Sequence, residues 1–289
     1  MEITRLTPIS YCFGVTKAID KALEIKNKFP DKNIYFFGEL VHNENVIKYF
    51  KSLNIKAVPF TGFNALEILE QFTTDDVVIF SAHGHDKKYE EVLIKNKVTF
   101  FETTCLKVKK VLDQISTYDG EIIYVGKTGH PETIASLSYS DKIYLYDIAK
   151  DFKFNYSKVK TNAPLILNQS TLSILEIKNI FDDIKEHYKN AVFIDEICSA
   201  SRIRQEKILH LDSSIDLVVV VGDKKSSNST KLYNLSNDNN KNVLTIMVNS
   251  VSDLSKYNLR HYNKALIASG TSTPLETIKE IESYLEEQN

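Results

Sequence analysis

The stretch Leu217-Val218-Val219-Val220-Val221-Gly222 contains five consecutive aliphatic residues directly before a glycine. Two other stretches have the same form, Ile34-Tyr35-Phe36-Phe37-Gly38 and Ile122-Ile123-Tyr124-Val125-Gly126. Continuous apolar runs of this length are typical of strands that are buried on both faces of a parallel sheet. The three stretches therefore predict three interior strands, one in each third of the chain.

A second apolar run follows each of these strands farther along the chain. The second runs are residues 77–81, 165–169 and 265–269. Apolar residues at i, i+3 and i+4 then predict helices over residues 172–187 and 274–286. Strands that alternate with helices indicate α/β units with parallel sheets.

The three cysteines of the chain are evenly spaced. Cys12, Cys105 and Cys198 are each 93 residues from the next, and a helical periodicity follows each of them, over residues 15–28, 108–116 and 203–211. Equal spacing indicates an internal repeat. We therefore expect three similar α/β units, with small, mostly parallel sheets arranged around a pseudo-threefold axis. The predicted units are residues 1–104, 105–197 and 198–289.

The bulk properties exclude several functional classes. A chain of 289 residues, 43% of them hydrophobic, is long enough to bury a sizeable core. Its net charge of −2 does not favour nucleic acid or an anionic membrane as a partner. No uninterrupted apolar segment is long enough to span a bilayer, and the N-terminus does not have the layout of a signal peptide. We expect a cytoplasmic protein.

The loops after the predicted strands contain side chains that can bind an anion. Ligands of open parallel sheets bind beyond the carboxyl ends of the strands. The imidazole, hydroxyl and amide groups in these loops belong to His42, His83, His130, Ser170, Thr171, Ser226, Ser227, Asn228 and Ser272. Around a pseudo-threefold axis they would converge on one cavity suited to a phosphate or diphosphate. Because Arg and Lys are scarce there, we expect protonated histidines to supply positive charge.

The cysteines and one carboxylate predict redox chemistry in this cavity. Three thiolates can ligate three irons of a [4Fe–4S] cluster and leave the fourth iron open. An open iron is a Lewis acid that can bind a substrate oxygen. We therefore predict one central [4Fe–4S] cluster held by Cys12, Cys105 and Cys198. Glu132, two residues after His130, is expected to relay protons to a substrate that is being reduced.

Other classes of site were weighed against this interpretation. Structural zinc sites use closely spaced ligand pairs, and the chain has no such cysteine pair. A cysteine nucleophile would need one cysteine only, which leaves the equal spacing unexplained. A non-catalytic sensor of a cluster or a diphosphate is disfavoured only by Glu132, since binding alone needs no proton relay.

Taken singly, the loop residues also have structural explanations. The serines near Ser226 would serve as a helix cap. The functional interpretation therefore depends on their joint occurrence. The histidines that do not recur in the loop pattern, and are assigned no role, are His85, His187, His210 and His261.

Motifs along essentially the whole chain, in order, resemble those of the 4-hydroxy-3-methylbut-2-enyl diphosphate reductase family. They are Cys12-Phe13-Gly14-Val15 with Ala18-Ile19, Val41-His42-Asn43, Phe80-Ser81-Ala82-His83-Gly84, Thr104-Cys105, Gly129-His130-Pro131-Glu132, Gln169-Ser170-Thr171-Leu172-Ser173, Ile197-Cys198 with Arg204-Gln205, and Ser226-Ser227-Asn228-Ser229. The resemblance implies a two-electron, two-proton removal of the allylic hydroxyl of (E)-4-hydroxy-3-methylbut-2-enyl diphosphate. The products would be isopentenyl and dimethylallyl diphosphate, in the methylerythritol phosphate route to isoprenoids. A ferredoxin- or flavodoxin-type protein would donate the electrons.

The resemblance also implies roles for single residues. The histidine, serine and asparagine side chains named above would bind the diphosphate, and Glu132 would donate or relay the proton. Where the family usually has Thr after the Gln, this chain has Ser170 followed by Thr171, so both hydroxyls are candidates. Tyr11 replaces a Gly before the first cysteine, and residues 199–203 differ from the family's aromatic- and Thr-rich stretch. Both departures flank cluster ligands and would alter cluster exposure or electron entry, and we expect activity to be retained.

Overall fold

A computed structural model describes residues 1–60, 64–148 and 153–287 of the chain. The strands are β1 (Glu2–Arg5), β2 (Asn33–Phe37), β3 (Ile55–Val58), β4 (Asp76–Phe80), β5 (Thr99–Glu102), β6 (Ile122–Gly126), β7 (Ile143–Asp147), β8 (Leu165–Asn168), β9 (Val192–Phe193), β10 (Leu217–Val221), β11 (Leu244–Val248) and β12 (Lys264–Ser269). The helices are α1 (Phe13–Lys28), α2 (Glu44–Ser52), α3 (Ala65–Glu70), α4 (Lys87–Lys95), α5 (Leu106–Thr117), α6 (Pro131–Leu137), α7 (Ile174–His187), α8 (Ser199–Leu209), α9 (Ser227–Asn239), α10 (Val251–Leu254) and α11 (Leu275–Glu287), with a short 3-10 helix at Tyr156–Lys158.

These strands form three parallel sheets of four strands each. The strand orders are β1-β12-β10-β11, β3-β2-β4-β5 and β7-β6-β8-β9. When the second and third orders are taken from the opposite edge, the three sheets are equivalent strand by strand. The predicted interior strands are β2, β6 and β10, and the second runs are β4, β8 and β12. The predicted fold class, three similar α/β units with small parallel sheets, is therefore confirmed.

The N-terminal strand lies in the sheet of the third unit. β1 pairs with β12, where Ile3 is the partner of Ala265. The predicted division places residues 2–5 in the first unit, residues 1–104, whereas in the structure they belong to the sheet of the third unit. Met1 and Ile3 pack against the apolar core of the third sheet, which stabilises β1 at its edge. β5 and β9 occupy the corresponding edges of the other two sheets, so each cysteine follows an edge strand.

Helices cover both faces of each sheet, as β10 illustrates. All five of its residues are buried. Val219 and Val221 pack in one apolar cluster with residues of α11, whereas Val218 and Val220 pack in another with residues of α8 and α9. Alternate side chains point to opposite faces, so a strand between two helical layers requires a continuous apolar run. No helix in the described ranges has the length and hydropathy needed to cross a bilayer.

Candidate active site

Each cysteine occupies the same structural position in its unit. It is the N-cap residue of the helix that follows it, with an extended backbone. Its backbone N–H donates, in each case over 3.0 Å, to a carbonyl in the loop after β12, β4 or β8. The donor and acceptor pairs are Cys12 and Thr271, Cys105 and Ala82, and Cys198 and Ser170. The threefold repeat therefore brings the three thiols toward one centre.

The spacing of the sulfur atoms suits a cluster better than a single metal ion. A Cβ added to Gly14 would lie 2.5 Å from Cys105 Sγ and 3.9 Å from Cys12 Sγ, so these sulfurs are no farther apart than the sum of the two distances. Within the described residues, however, the three cysteines are not a set whose ligand atoms all lie within 4.8 Å of one another. Sulfurs that share one zinc ion at about 2.3 Å would be at most about 4.6 Å apart. In a [4Fe–4S] cluster each thiolate binds its own iron, which fits the wider arrangement.

Three histidines pack together beside the cysteine centre. The ring centroids of His42 and His83 are 4.6 Å apart, and His130 lies 5.8 Å from the first and 5.6 Å from the second. They line a cavity to which all three units contribute. Its walls comprise Val15, Val41, His42, Ala82, His83, His130, Thr171, Ser226, Ser227, Asn228, Thr271 and Ser272.

Burial keeps two of these histidines neutral. It lowers the pKa of His83 well below the ordinary value, and the rings of His42 and His130 lower that pKa further. The pKa of His130 is lowered to about 3, mainly by burial and then by His42 and Lys127. The expectation of protonated histidines is therefore wrong for His83 and His130 in this structure. Desolvation and the proximity of three basic rings both disfavour the charged form.

Hydrogen bonds identify which ring nitrogens carry protons. His130 Nδ1 accepts the backbone N–H of Glu132 at 3.2 Å, so the proton of the neutral ring is on Nε2. His42 Nδ1 lies 3.1 Å from Glu39 Oε2 and must donate to it, and this hydrogen bond lowers the pKa of Glu39. The buried Nδ1 of His83 has no hydrogen-bond partner. A buried polar atom without a partner is costly, which favours a ligand at this point.

Glu132 is a buried carboxyl group with a raised pKa. Its side chain is enclosed, with the residue 1% exposed. Oε1 accepts the backbone N–H of Ser170 at 2.7 Å, and Oε2 accepts the Ser170 hydroxyl at 2.8 Å. Burial raises the pKa of Glu132 to about 7, although the bonds from Ser170 and Tyr124 oppose the rise. A carboxyl group with this pKa can hold and release a proton near neutral pH.

The hydroxyls of Ser170 and Thr171 face different groups. Ser170 binds Glu132 through both its N–H and its hydroxyl. Thr171 lines the cavity, and its Oγ1 accepts a hydrogen bond from Gln169 Nε2 at 2.9 Å. The two candidates left open by the sequence therefore occupy distinct places, one on the carboxyl group and one on the cavity wall.

The third unit contributes serines at the start of α9 and before α11. Ser226 is the N-cap of α9, where its Oγ accepts the N–H of Ser229 at 3.3 Å and its own O–H remains a donor. The Ser227 hydroxyl donates to a backbone carbonyl at 3.4 Å. The Ser272 hydroxyl donates to the carbonyl of His42 at 3.1 Å, which ties the third unit to the first. Of these three serines, Ser226 has the hydroxyl best placed to donate to a ligand.

Asn228 connects the cavity wall to the third cysteine. Its Oδ1 accepts the N–H of Thr271 at 3.1 Å, and its Nδ2 donates to Ser201 Oγ at 2.6 Å. Ser201 Oγ in turn lies 3.0 Å from Cys198 Sγ. Ser201 was not among the predicted site residues. The sequence could have indicated Ser201, because it lies three residues after an N-cap cysteine and an N-cap side chain accepts a hydrogen bond from the backbone N–H at that position.

The helices that begin at the cysteines have no acidic residue in the first turn. This holds for α1, α5 and α8, and also for α9, which begins at the cavity. Acidic residues are generally favoured at that position because of the helix dipole. The other α-helices follow that tendency, namely α2, α3, α4, α6, α7, α10 and α11. The positive ends of the four helices are thus left for bound anionic groups.

The histidines without a predicted role do not line the cavity. His85 stacks on Phe80 with the ring centroids 3.7 Å apart, and its Nε2 lies 2.8 Å from Glu90 Oε1. With Glu102 these groups form a His–Glu–Glu cluster whose two glutamates face solvent. His187 stacks on Tyr156 at 3.5 Å. These contacts are explained by packing and surface ion pairing.

Comparisons with known proteins agree with one another. The family model described as LytB protein matches residues 3–286. The 4-hydroxy-3-methylbut-2-enyl diphosphate reductase of Malacoplasma penetrans is 35% identical over 243 residues, which cover 81% of this chain and 81% of that relative. The enzyme of that name from Bacillus cytotoxicus is 32% identical over 295 residues, covering 99% of this chain and 91% of the relative.

A solved structure is similar over the same extent. The E-1-hydroxy-2-methyl-but-2-enyl-4-diphosphate reductase from Plasmodium falciparum superposes with a TM-score of 0.83 at 26% identity, covering 99% of this chain and 87% of that chain. The resemblance inferred from the ordered motifs is thereby confirmed. The chain belongs to the LytB protein family, the family of the 4-hydroxy-3-methylbut-2-enyl diphosphate reductases.

Proposed function

We propose that the chain is an iron–sulfur reductase that removes the allylic hydroxyl of (E)-4-hydroxy-3-methylbut-2-enyl diphosphate. Two electrons and two protons enter, the carbon–oxygen bond breaks, water leaves and one carbon–hydrogen bond forms. The products are isopentenyl and dimethylallyl diphosphate. The observation that carries the proposal is that three equivalent cysteines are hydrogen-bonded to loops that line one cavity, and that His130 in the wall of this cavity is hydrogen-bonded to the buried Glu132.

Cys12, Cys105 and Cys198 would hold one [4Fe–4S] cluster with three thiolates. When bound, the cluster supplies the electrons and an open iron that accepts a substrate oxygen. Gly14 leaves room at this centre, since a Cβ there would overlap the Cys105 sulfur. Burial raises the pKa of the Cys105 and Cys198 thiols, and the positive ends of α1, α5 and α8 would help to stabilise the thiolates that bind iron.

We propose that the cavity binds the diphosphate, as the sequence predicts. The predicted binding residues are His42, His83, His130, Ser170, Thr171, Ser226, Ser227, Asn228 and Ser272, and all of them except Ser170 line the wall. His130 Nε2 and the Ser226 hydroxyl offer donors, and the buried Nδ1 of His83 has no hydrogen-bond partner. The start of α9 adds the positive end of a helix. A bound anion raises the pKa of the neutral histidines, so the site would take up protons as it fills.

Glu132 would supply the proton through Ser170. Protonated Glu132 can donate from Oε2 to the Ser170 hydroxyl, while that hydroxyl passes its own proton toward the departing oxygen. Tyr124, whose hydroxyl lies 3.5 Å from Glu132 Oε1, helps to orient the carboxyl group. The raised pKa keeps a substantial protonated fraction at pH 7.

An anaerobic preparation tests this function. The protein should be brown, with about four irons and four sulfides per chain, and it should convert the diphosphate when a strong chemical reductant is present. A colourless protein with one zinc ion and full activity would overturn the cluster. Binding of the diphosphate without turnover by the cluster-loaded protein would favour a sensor instead.

A ferredoxin- or flavodoxin-type protein would deliver the electrons to the outer side of the cysteine centre. We propose that the protein works in the cytoplasm and has no nucleic-acid or membrane partner. Phe13 and Leu106, each directly after a cysteine, are 64% and 68% exposed. Exposed Lys17, Lys109 and Lys110 follow them on α1 and α5. Apolar contacts with a positive rim suit a small acidic partner.

Charge reversal tests this docking surface. The double variant Leu106→Glu/Lys110→Glu should lower turnover about tenfold with the protein donor, because steering and contact are both weakened. Turnover with a small viologen should be unchanged. The matched control is Ile94→Glu/Lys95→Glu on α4, where Ile94 is 63% exposed. Equal losses of turnover with both reductants would show that the substitutions impair the enzyme itself, and the proposed docking surface would be wrong.

A further inference from the structure

Arg204 on α8 is buried more completely than a charged side chain usually is. The residue is 1% exposed. Nη1 donates to the carbonyl of Ala200 at 3.1 Å, and Nη2 donates to the carbonyl of Ser10 at 2.7 Å. Nε is buried and has no hydrogen-bond partner. Two neutral carbonyls are poor compensation for the desolvation of a guanidinium group.

The ionisable groups that favour the charged form of Arg204 are cysteines. In the described part of the chain it forms no ion pair with a carboxylate, whereas Arg202 on the same helix pairs with Asp195 and Glu206. Burial lowers the pKa of Arg204, and the thiolates of Cys12 and Cys198 raise it. A guanidinium group nonetheless stays protonated in proteins. An anionic group bound at the cysteine centre would therefore offset its charge.

The backbone before the first cysteine is shaped to meet Arg204. Ser10 has φ of +65°, in the left-handed region that is uncommon for serine. Its N–H donates to Ser269 Oγ at 2.8 Å, and its hydroxyl donates to the carbonyl of Thr273 at 3.0 Å. These bonds hold the Ser10 carbonyl toward Arg204. The guanidinium group thus joins the segment that precedes Cys12 to the first turn of the helix that begins at Cys198.

We infer that Arg204 is a positioning residue that places a fixed positive charge at the cysteine centre and thereby raises the reduction potential of the cluster. The inference depends on the proposed [4Fe–4S] cluster. Three thiolates give such a centre a net negative charge, and reduction adds to it. A buried positive charge stabilises the reduced form more than the oxidised form, because screening is weak there.

The test is a redox titration of the anaerobic, cluster-loaded protein, followed by visible absorption and electron paramagnetic resonance. The variants are Arg204→Gln, which removes the charge and keeps a donor, and Arg204→Lys, which keeps the charge. The control is Arg202→Gln, which removes the same charge two residues away. We expect Arg204→Gln to shift the midpoint potential to more negative values, Arg204→Lys to shift it less, and Arg202→Gln to leave it unchanged.

Several results would overturn this role. An unchanged potential in Arg204→Gln, or equal shifts in Arg204→Gln and Arg204→Lys, would leave Arg204 with a structural role only. If Arg204→Gln does not retain its cluster, the thermal unfolding temperatures of the cluster-free variant and the cluster-free wild type are compared. This comparison distinguishes a loss of cluster binding from a loss of folding. A wild-type unfolding temperature supports the need for charge at the cluster, and an unfolded chain contradicts it. A wild-type protein without a cluster would be detected first by its colour and iron content, which separates failure of the proposed function from failure of this inference.

Discussion

The cysteine centre and the cavity wall are built from the same three repeats but in different ways. At the cysteine centre every unit contributes the same side chain, at the same helix cap, held by an equivalent backbone hydrogen bond. At the cavity wall the first two units contribute histidines and the third contributes serines and an asparagine. The three units thus have identical side chains at the cysteine centre and different side chains at the cavity wall.

The difference follows from what each region is proposed to bind. A cubic cluster presents equivalent irons, so three identical ligands related by a pseudo-threefold axis suit it. A diphosphate with an allylic alcohol at its other end has no such symmetry. Its charged end needs donors, and its reacting end needs one proton source, for which we propose Glu132 of the second unit. Symmetry in the fold therefore provides a scaffold on which asymmetric chemistry is placed.

Substitution of a cysteine should have the largest effect. Cys12→Ser, Cys105→Ser and Cys198→Ser are expected to lower activity and iron content equally, because the three positions are equivalent. The loss should exceed the roughly 10–100-fold range typical of changes next to metal ligands. Ser201→Ala, which removes a hydroxyl 3.0 Å from Cys198 Sγ, is the control and should fall within that range. Iron analysis and turnover measure both. A cysteine variant with full iron content would break the equivalence of the three units.

Glu132→Gln should affect turnover and spare binding. We expect kcat to fall about 10²–10⁴-fold, the usual contribution of a positioned proton donor. Glu176→Gln, in the capping box of α7, is the matched control and should retain activity. Because the pKa of Glu132 is raised to about 7, the protonated donor is present below that pH and is lost above it. Wild-type kcat should therefore fall as pH rises through about 7, and the variant should lack that dependence. Normal turnover in Glu132→Gln would remove the proton-relay role.

Proton uptake at the histidines should be the smallest effect. The lowered pKa values of His83 and His130 mean that both rings are neutral at pH 7 before an anion binds. Calorimetry of diphosphate binding in buffers of different ionisation enthalpy should show proton uptake that decreases in His130→Asn. Ser226→Ala should weaken binding by about tenfold, as expected for one hydrogen bond to a charged group, with the uptake unchanged. Binding heats that do not depend on the buffer would show that neutral imidazoles suffice.

Local patterns were sufficient for most of the fold. β10 lies where five consecutive aliphatic residues occur, because a strand between two helical layers has no polar face. The position of β1 was not predictable in this way. Its four residues, Glu2–Arg5, are only partly buried, and their pairing with β12 joins residues more than 250 positions apart in sequence. Such pairing forms only when the N-terminal residues reach the sheet of the third unit in the folded chain.

The number of units, the cysteine at the same place in each, and the polar residues of the cavity wall could be predicted from the amino-acid sequence. These follow from spacing and from apolar periodicity, which are properties of neighbouring residues. The protonation states of the site residues could not be predicted in this way, because they depend on the folded structure. Neutral His83 and His130 and a protonatable Glu132 result from burial beside groups that are distant in sequence, and Arg204 keeps its charge although burial lowers its pKa. The free energy of a charge depends on the dielectric and the partners around it, and distant segments supply both.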